Sequence, residues 1–261
     1  MSKEVSMGGK NEIEYRKLCE KYHEYVVLAH ADSVREGFQE LFSYSSRNRR
    51  SFLLQNNVKG ISKLLKRMWV FLRYSKKMQK GMKECFTDLD PYFKAMHEGT
   101  WSEPQGFKPP QEELWQEFKE YARSKWNITK VGFTAVPPQL VFKEKAILFK
   151  YALILLQEMK KCKIDKAPGF EASAEVMRVY ADLGIAANDL ARWLRDRGVR
   201  CQSSHPMGGL VLTPPLAGKA GLGWQGLSGI LITKEFGSRQ RIAPIFVENQ
   251  VFPLTDSEEH T

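Results

Sequence analysis

Ala217-Gly-Lys-Ala220-Gly-Leu-Gly-Trp-Gln-Gly226 is followed closely by Gly229-Ile-Leu-Ile-Thr233-Lys-Glu-Phe-Gly-Ser-Arg239-Gln-Arg-Ile242. Gly221, Gly223 and Gly226 satisfy G-x-G-x-x-G literally. A dinucleotide site also needs a strand just before the glycines, a helix just after, and an acid some twenty positions on. Upstream lies Thr213-Pro214-Pro215, which is no central strand. Downstream, Leu227 to Thr233 reads as loop and strand, and the next suitably spaced acid, Glu248, ends another strand. The glycines therefore permit positive φ and close backbone approach. That suits a tight turn, or a backbone lying against a flat ligand or another chain.

Working outward, Ala172–Arg197 is the clearest helix. Val176, Tyr180, Leu183, Ala187, Leu190 and Leu194 recur at threes and fours, and Gly198 marks its end. Val199–Gln202, Gly229–Thr233 and Arg241–Val247 read as strands. So do Ile128–Val136, closed by Pro137-Pro138, and the apolar run Ala146–Leu156, with Lys160–Lys166 as a solvated loop. Towards the N-terminus the period changes. Residues 11–44 and 58–83 read as helices, Thr100–Pro110 as a linker, and Gln111–Trp126 as a further helix. The expectation is an α-helical, basic N-terminal region and linker over 1–110, and an α+β domain over 111–261.

With 43% apolar residues in 261, wholesale disorder is excluded, and no repeat points to a solenoid. The longest apolar stretch, Ala146–Leu156, is broken by Lys150 and too short to span a bilayer. Met1-Ser-Lys-Glu-Val-Ser has no apolar signal core, so the chain reads as cytoplasmic. Cys19, Cys85, Cys162 and Cys201 are scattered with no C-x-x-C pair. This disfavours a disulfide scaffold, a zinc ribbon and a cysteine-ligated cluster, and each cysteine reads as a small buried hydrophobe.

The block from Arg200 to Val247 resembles the corrinoid-dependent reductases, that is, epoxyqueuosine reductase and the reductive dehalogenases. Their pattern is roughly A-x-x-A-G-L-G-x-x-G, a spacer, then L-I-T-P-E-F-G-P-R-x-R-L. Here Ala217–Gly226 and Leu231–Ile242 match it, with Lys234 and Ser238 where the family has prolines. Upstream, Tyr180, Ala187, Leu190, Ala191 and Arg195 fall in register with a dehalogenase segment like Y-S-R-M-x-x-x-A-A-x-L-A-x-F-I-R. The likeness covers residues 170–250, more weakly 128–170, and not the first 125.

The resemblance implies a nitroreductase-like α+β fold holding a corrinoid (cobalamin). The cofactor would lie against Lys219, Ala220, Gly221, Leu222, Gly223, Trp224, Gly226, Ser228 and Gly229. In the family, two 4Fe-4S clusters in a following ferredoxin-like module feed the cobalt. No ligands for such clusters stand in this chain, which ends at Thr261 about where the cysteine runs would begin. The electrons would then come from a separate donor or module, and the small-molecule substrate is open. Tyr180 matches the dehalogenase proton donor, and Arg239 and Arg241 match the R-x-R that would supply a cation beside it. A core tyrosine and two strand-surface arginines remain the structural alternative. Asp182, two residues on, turns to another helix face. His205 is an isolated loop histidine and a weak metal signal, and no protein metal site is expected. The competing function is a clusterless binding protein for a corrinoid or an anionic partner, without redox turnover.

That partner would be met by one segment. Between Ser45 and Lys83 stand twelve of the 40 cations and no acid, which leaves 28 cations against 30 acids elsewhere. Val58, Ile61, Leu64, Leu65, Met68, Phe71 and Leu72 make an apolar stripe, with the cations on the other face. RNA, gripped at its phosphates with Trp69, Phe71 and Tyr74 for stacking, and an anionic membrane surface both fit, as does a solvated helix face.

Overall fold

The computed structural model describes residues 27–28, 61–100, 112–142, 145–207 and 209–256. Its centre is a four-stranded antiparallel sheet in the order β2-β4-β8-β5. The strands are β2 (Lys130–Ala135), β4 (Tyr151–Glu158), β5 (Cys201–Ser203) and β8 (Gln240–Val247). Six consecutive residues of β4, Ala152–Gln157, are buried, as befits an inner strand covered on both faces.

Alternation along β4 divides the core. Leu153 and Leu155 face one layer with Phe133, Ala243, Ile245 and Val247. Helices α3 (Glu112–Trp126) and α5 (Phe170–Arg195) cover that layer through Phe118, Leu183, Leu190 and Leu194. Each such leucine, fully removed from water, contributes about 2 kcal/mol. Ile154 and Leu156 face the other layer, where α2 (Asp90–His97) and α6 (Thr213–Lys219) bring Met96, Leu216 and Ala217. Met96 and Leu89 thus share a cluster with the sheet, so α2, before residue 110, is built into the same core. Helix α1 (Ile61–Thr87) lies along α5, with Met78, Gly81 and Cys85 buried.

Three expectations are corrected. The run Ala146–Leu156 is two strands, β3 (Ala146–Ile147) and β4, because Leu148–Lys150 breaks the extended backbone between them. Lys160–Lys166 contains a one-turn helix, α4 (Lys161–Ile164), tied by the Lys161–Asp165 ion pair. Within 11–44 the described residues are Val27–Leu28, and they are a strand, β1, paired with β3. In the apolar stripe of α1, Met68 is 52% exposed, Phe71 58% and Leu72 48%. The rest of 11–44 and the linker 101–110 lie outside the described residues. Helix α5 starts and ends two residues earlier than expected, and Gly198 follows it at φ +78°. No described helix is long and apolar enough to cross a membrane.

Candidate cofactor and active site

Two features meet at the end of the sheet where β8 starts and β4 stops. They approach from opposite faces. Gln240 and Arg241 are consecutive residues of β8, so their side chains point apart. Gln240 Nε2 donates to the carbonyl of Leu231 (2.8 Å), and Thr233 Oγ1 donates to Gln240 Oε1 (3.4 Å). This fastens a small hairpin, β6 (Trp224–Gln225) with β7 (Leu231–Ile232), to the α6 side. Arg241 points to the α5 side and lies 4.8 Å from the centroid of the Tyr180 ring. The two strongest sequence candidates are therefore in contact.

Arg239 is not part of that pair. Its guanidinium donates to Glu158 (2.6 Å) and to the carbonyl of Met159 (2.9 Å). The R-x-R pattern thus separates into one arginine that closes the β4–β8 end and one that faces the tyrosine. Tyr180 itself is half-buried, and Arg241 Nε is buried without a hydrogen-bond partner. Gln157, opposite Arg241 in the β4–β8 register, has a buried, unpaired Oε1 while its Nε2 donates to the carbonyl of Trp126. An unpaired donor and an unpaired acceptor beside a tyrosine make a place suited to a small polar guest or a water.

The glycine turn is built for closeness within the chain. Helix α6 precedes it, with Pro214 and Pro215 in its first turn, where a missing N–H costs nothing. Gly221 takes φ +70°, Gly223 φ +159° and Gly229 φ +75°. A Cβ on Gly223 would collide with the carbonyl oxygen of Ile232, so this glycine lets β6 and β7 pair. Ala220 and Leu222 are buried against Gly132 of β2. The carbonyl of Ala220 accepts from Thr255 Oγ1 (2.8 Å), and Lys219 pairs with Asp256 (2.7 Å) and donates to Thr134 Oγ1 (3.1 Å). Those three residues anchor the turn. Its free surface is Gly221, Trp224, Leu227, Ser228, Gly229 and Ile230, all exposed, with Leu227 fully so.

An ion-pair chain that the sequence analysis does not foresee lies along α5. Glu175, Arg178 and Asp182, at three- and four-residue intervals, form one ion-pair chain: Arg178 bonds Glu175 (2.6 Å) and Asp182 (2.8 Å). Glu175 also accepts from the backbone N–H of Lys160 (2.9 Å), and Asp182 pairs with Lys77 of α1. Asp182 is therefore committed to joining two helices. His205 is 3% exposed, wedged against Gly81 and Gly184, with Nδ1 accepting from Met207 N (3.2 Å) and Nε2 unpaired. Burial pushes it down to about 4, so it stays neutral at ordinary pH. Among the described residues no three His, Cys, Asp or Glu gather as a metal site. Cys85 and Cys201 are buried as expected, whereas Cys162 is exposed.

No family model matches the chain. Over 112 residues it is 32% identical to a tetrachloroethene reductive dehalogenase of Dehalobacter restrictus, and 31% to one of Desulfitobacterium hafniense. Each match takes in 43% of this chain and 19% of the relative, so the chain spans about a fifth of the length of the curated relatives it matches. Among solved structures, a variant of a catabolic reductive dehalogenase aligns at a TM-score of 0.55 with 16% identity, over 71% of this chain and 26% of the other. The same dehalogenase in complex with 3-bromo-4-hydroxybenzoic acid gives 0.51 and 18%, over 58% and 23%. Epoxyqueuosine reductase structures reach only 0.42, so the structural likeness rests on the dehalogenases. The described α+β residues share the fold of these reductive dehalogenases.

Proposed function

We propose that this chain is the corrinoid-binding part of a reductase. Its exposed hairpin would receive the edge of the macrocycle, and Tyr180 with Arg241 would serve the reaction. The observation that carries this reading is the Tyr180–Arg241 contact. It lies at the same strand end to which Gln240 pins the hairpin, in a domain related to reductive dehalogenases. Trp224, Leu227 and Ile230 offer apolar surface, and the turn at Gly229 offers backbone unshielded by side chains. That combination fits a flat ring rimmed with amides. When bound, a reduced corrinoid supplies low-potential electrons at its metal.

The chain's own residues handle the proton and the charge. Tyr180 holds a transferable proton on its hydroxyl. Arg241, held on a strand rather than a loop, keeps a fixed cation beside the ring. Arg239 keeps the strand end closed through Glu158. The substrate class proposed is a small organic molecule carrying a reducible leaving group. The electrons come from an iron–sulfur donor.

An anaerobic titration with hydroxocobalamin, followed by visible absorption and gel filtration, tests the binding step. The expected result is one-to-one co-elution, weakened at least tenfold by Leu227→Glu or Ile230→Glu, both on the surface. Failure to co-elute at tens of micromolar overturns it. Tyr180→Phe should keep the corrinoid while losing reduction of a halogenated phenol driven by a supplied low-potential reductant. Retention without turnover in the unsubstituted chain would leave only the binding role.

A further inference from the structure

Helix α1 changes its outward face along its length. Met78, Gly81 and Cys85 are buried on one side, where Lys77 pairs with Asp182 and Asn188 Nδ2 donates to the carbonyl of Gly81 (2.8 Å). Away from that side lies a stripe that holds Met68, Trp69 and Leu72 in the first half. Lys76, Lys80 and Lys83 continue it in the second half, and Phe86 ends it. Trp69 is 61% exposed and Phe86 66%, and the guanidinium of Arg73 lies 5.5 Å from the Trp69 ring centre. Met68 to Phe86 spans roughly 27 Å at helical rise. The stripe carries no acid.

We propose that this face of α1 docks on an anionic lipid surface, independently of any corrinoid. Met68, Trp69 and Leu72 would enter the interface, and Arg73, Lys76, Lys80 and Lys83 would meet the headgroups. The chemistry favours lipid over nucleic acid. A strand of RNA would use the cations and the rings, but it gives nothing back for exposing Met68 and Leu72. An interfacial helix uses all of them: aliphatics and tryptophan at the acyl boundary, and cations worth about 1 kcal/mol each near a negative surface. Contiguous apolar exposure at one end of a helix that is packed at the other is the mark of a docking face.

Co-sedimentation of the full chain with vesicles tests it. One set is phosphatidylcholine and the other contains about a third phosphatidylglycerol, each over a salt series. Binding to the anionic set alone is expected. The triple charge reversal Lys76→Glu, Lys80→Glu, Lys83→Glu should weaken it at least tenfold, as should Met68→Ser with Leu72→Ser. These side chains are exposed, and a thermal melt verifies that the variants fold. The chain has six tryptophans, so brominated lipid should quench a component that disappears in Trp69→Phe. Equal binding to both sets, or quenching unaltered by Trp69→Phe, overturns the proposal. Binding of a single-stranded RNA that the charge reversal abolishes, with no vesicle binding, assigns the face to nucleic acid instead. A self-association lost in the Met68, Leu72 variant, without vesicle binding, assigns it to a second copy.

Discussion

The guanidinium of Arg241 lies 4.8 Å from the centre of the Tyr180 ring, joining the second residue of β8 to the middle of α5. A cation over a half-shielded ring contributes about 0.5–2 kcal/mol. Urea unfolding of Tyr180→Leu, Arg241→Leu and the double variant should give a coupling energy in that range. Arg241→Leu alone should cost less than the coupling suggests, because it also removes a buried Nε that has no partner. Additive single variants would show that the contact contributes nothing to stability.

How far the sequence reaches is clear from this pair. Periodicity located α5 and the turn residues located its end. The same periodicity put Tyr180 in the buried stripe, yet the buried line runs through Val179, Leu183, Ala186 and Leu190. The ring sits at the rim because it stands at the sheet end, and a helical period carries no knowledge of where a sheet stops. The R-x-R pattern was visible, but only strand alternation across β8, with Glu158 as a neighbour, tells Arg239 from Arg241. In α1 the apolar stripe is legible in the sequence, and its exposure at Met68 and Leu72 is not. Burial depends on what the fold lays against a face. Nothing local forecast that His205 would be held between two helices.

That histidine sets a pH dependence. Burial holds the folded His205 down at about 4, below the ordinary value of about 6.5 expected when unfolded. The unfolded chain therefore binds a proton first as pH falls. Stability is unaffected above about 6.5 and declines between about 6.5 and 4. It loses roughly 3 kcal/mol in all and then levels off. Urea midpoints across pH 4–8 should show that slope in the parent chain and lose it in His205→Leu. An unchanged slope would assign the acid sensitivity to other groups.

The same packing predicts a specific clash. A Cβ on Gly184 would overlap the His205 ring, while one on Gly81 would stand 3.3 Å from it. Gly184→Ala should cost about 1–3 kcal/mol through overpacking, despite alanine's better helix propensity. Gly81→Ala should be close to neutral. His205→Ser placed beside Gly184→Ala should recover most of the loss. If Gly184→Ala stabilises the chain, the imidazole is not held between the two helices.

Thiol labelling tests the layering of the whole domain with one reagent. Cys85 lies between α1 and α5 with its thiol directed at Asn188 Oδ1 (2.9 Å), and burial pushes it up to about 11. Cys201 is fully buried on β5 beside the Ala191 carbonyl (3.2 Å), and burial pushes it to about 12. Both should be unreactive twice over, lacking access and lacking thiolate at neutral pH. Cys162 is exposed on α4. Brief iodoacetamide treatment of the native chain, read by peptide mass, should modify Cys162 and spare Cys85 and Cys201. The latter two should react only on a timescale set by unfolding, and faster when α1 is loosened by Asp182→Ala, which removes the partner of Lys77. Fast native labelling of Cys85 would show that α1 does not stay packed on α5, and the anchored helix end that the lipid-docking face requires would be lost with it.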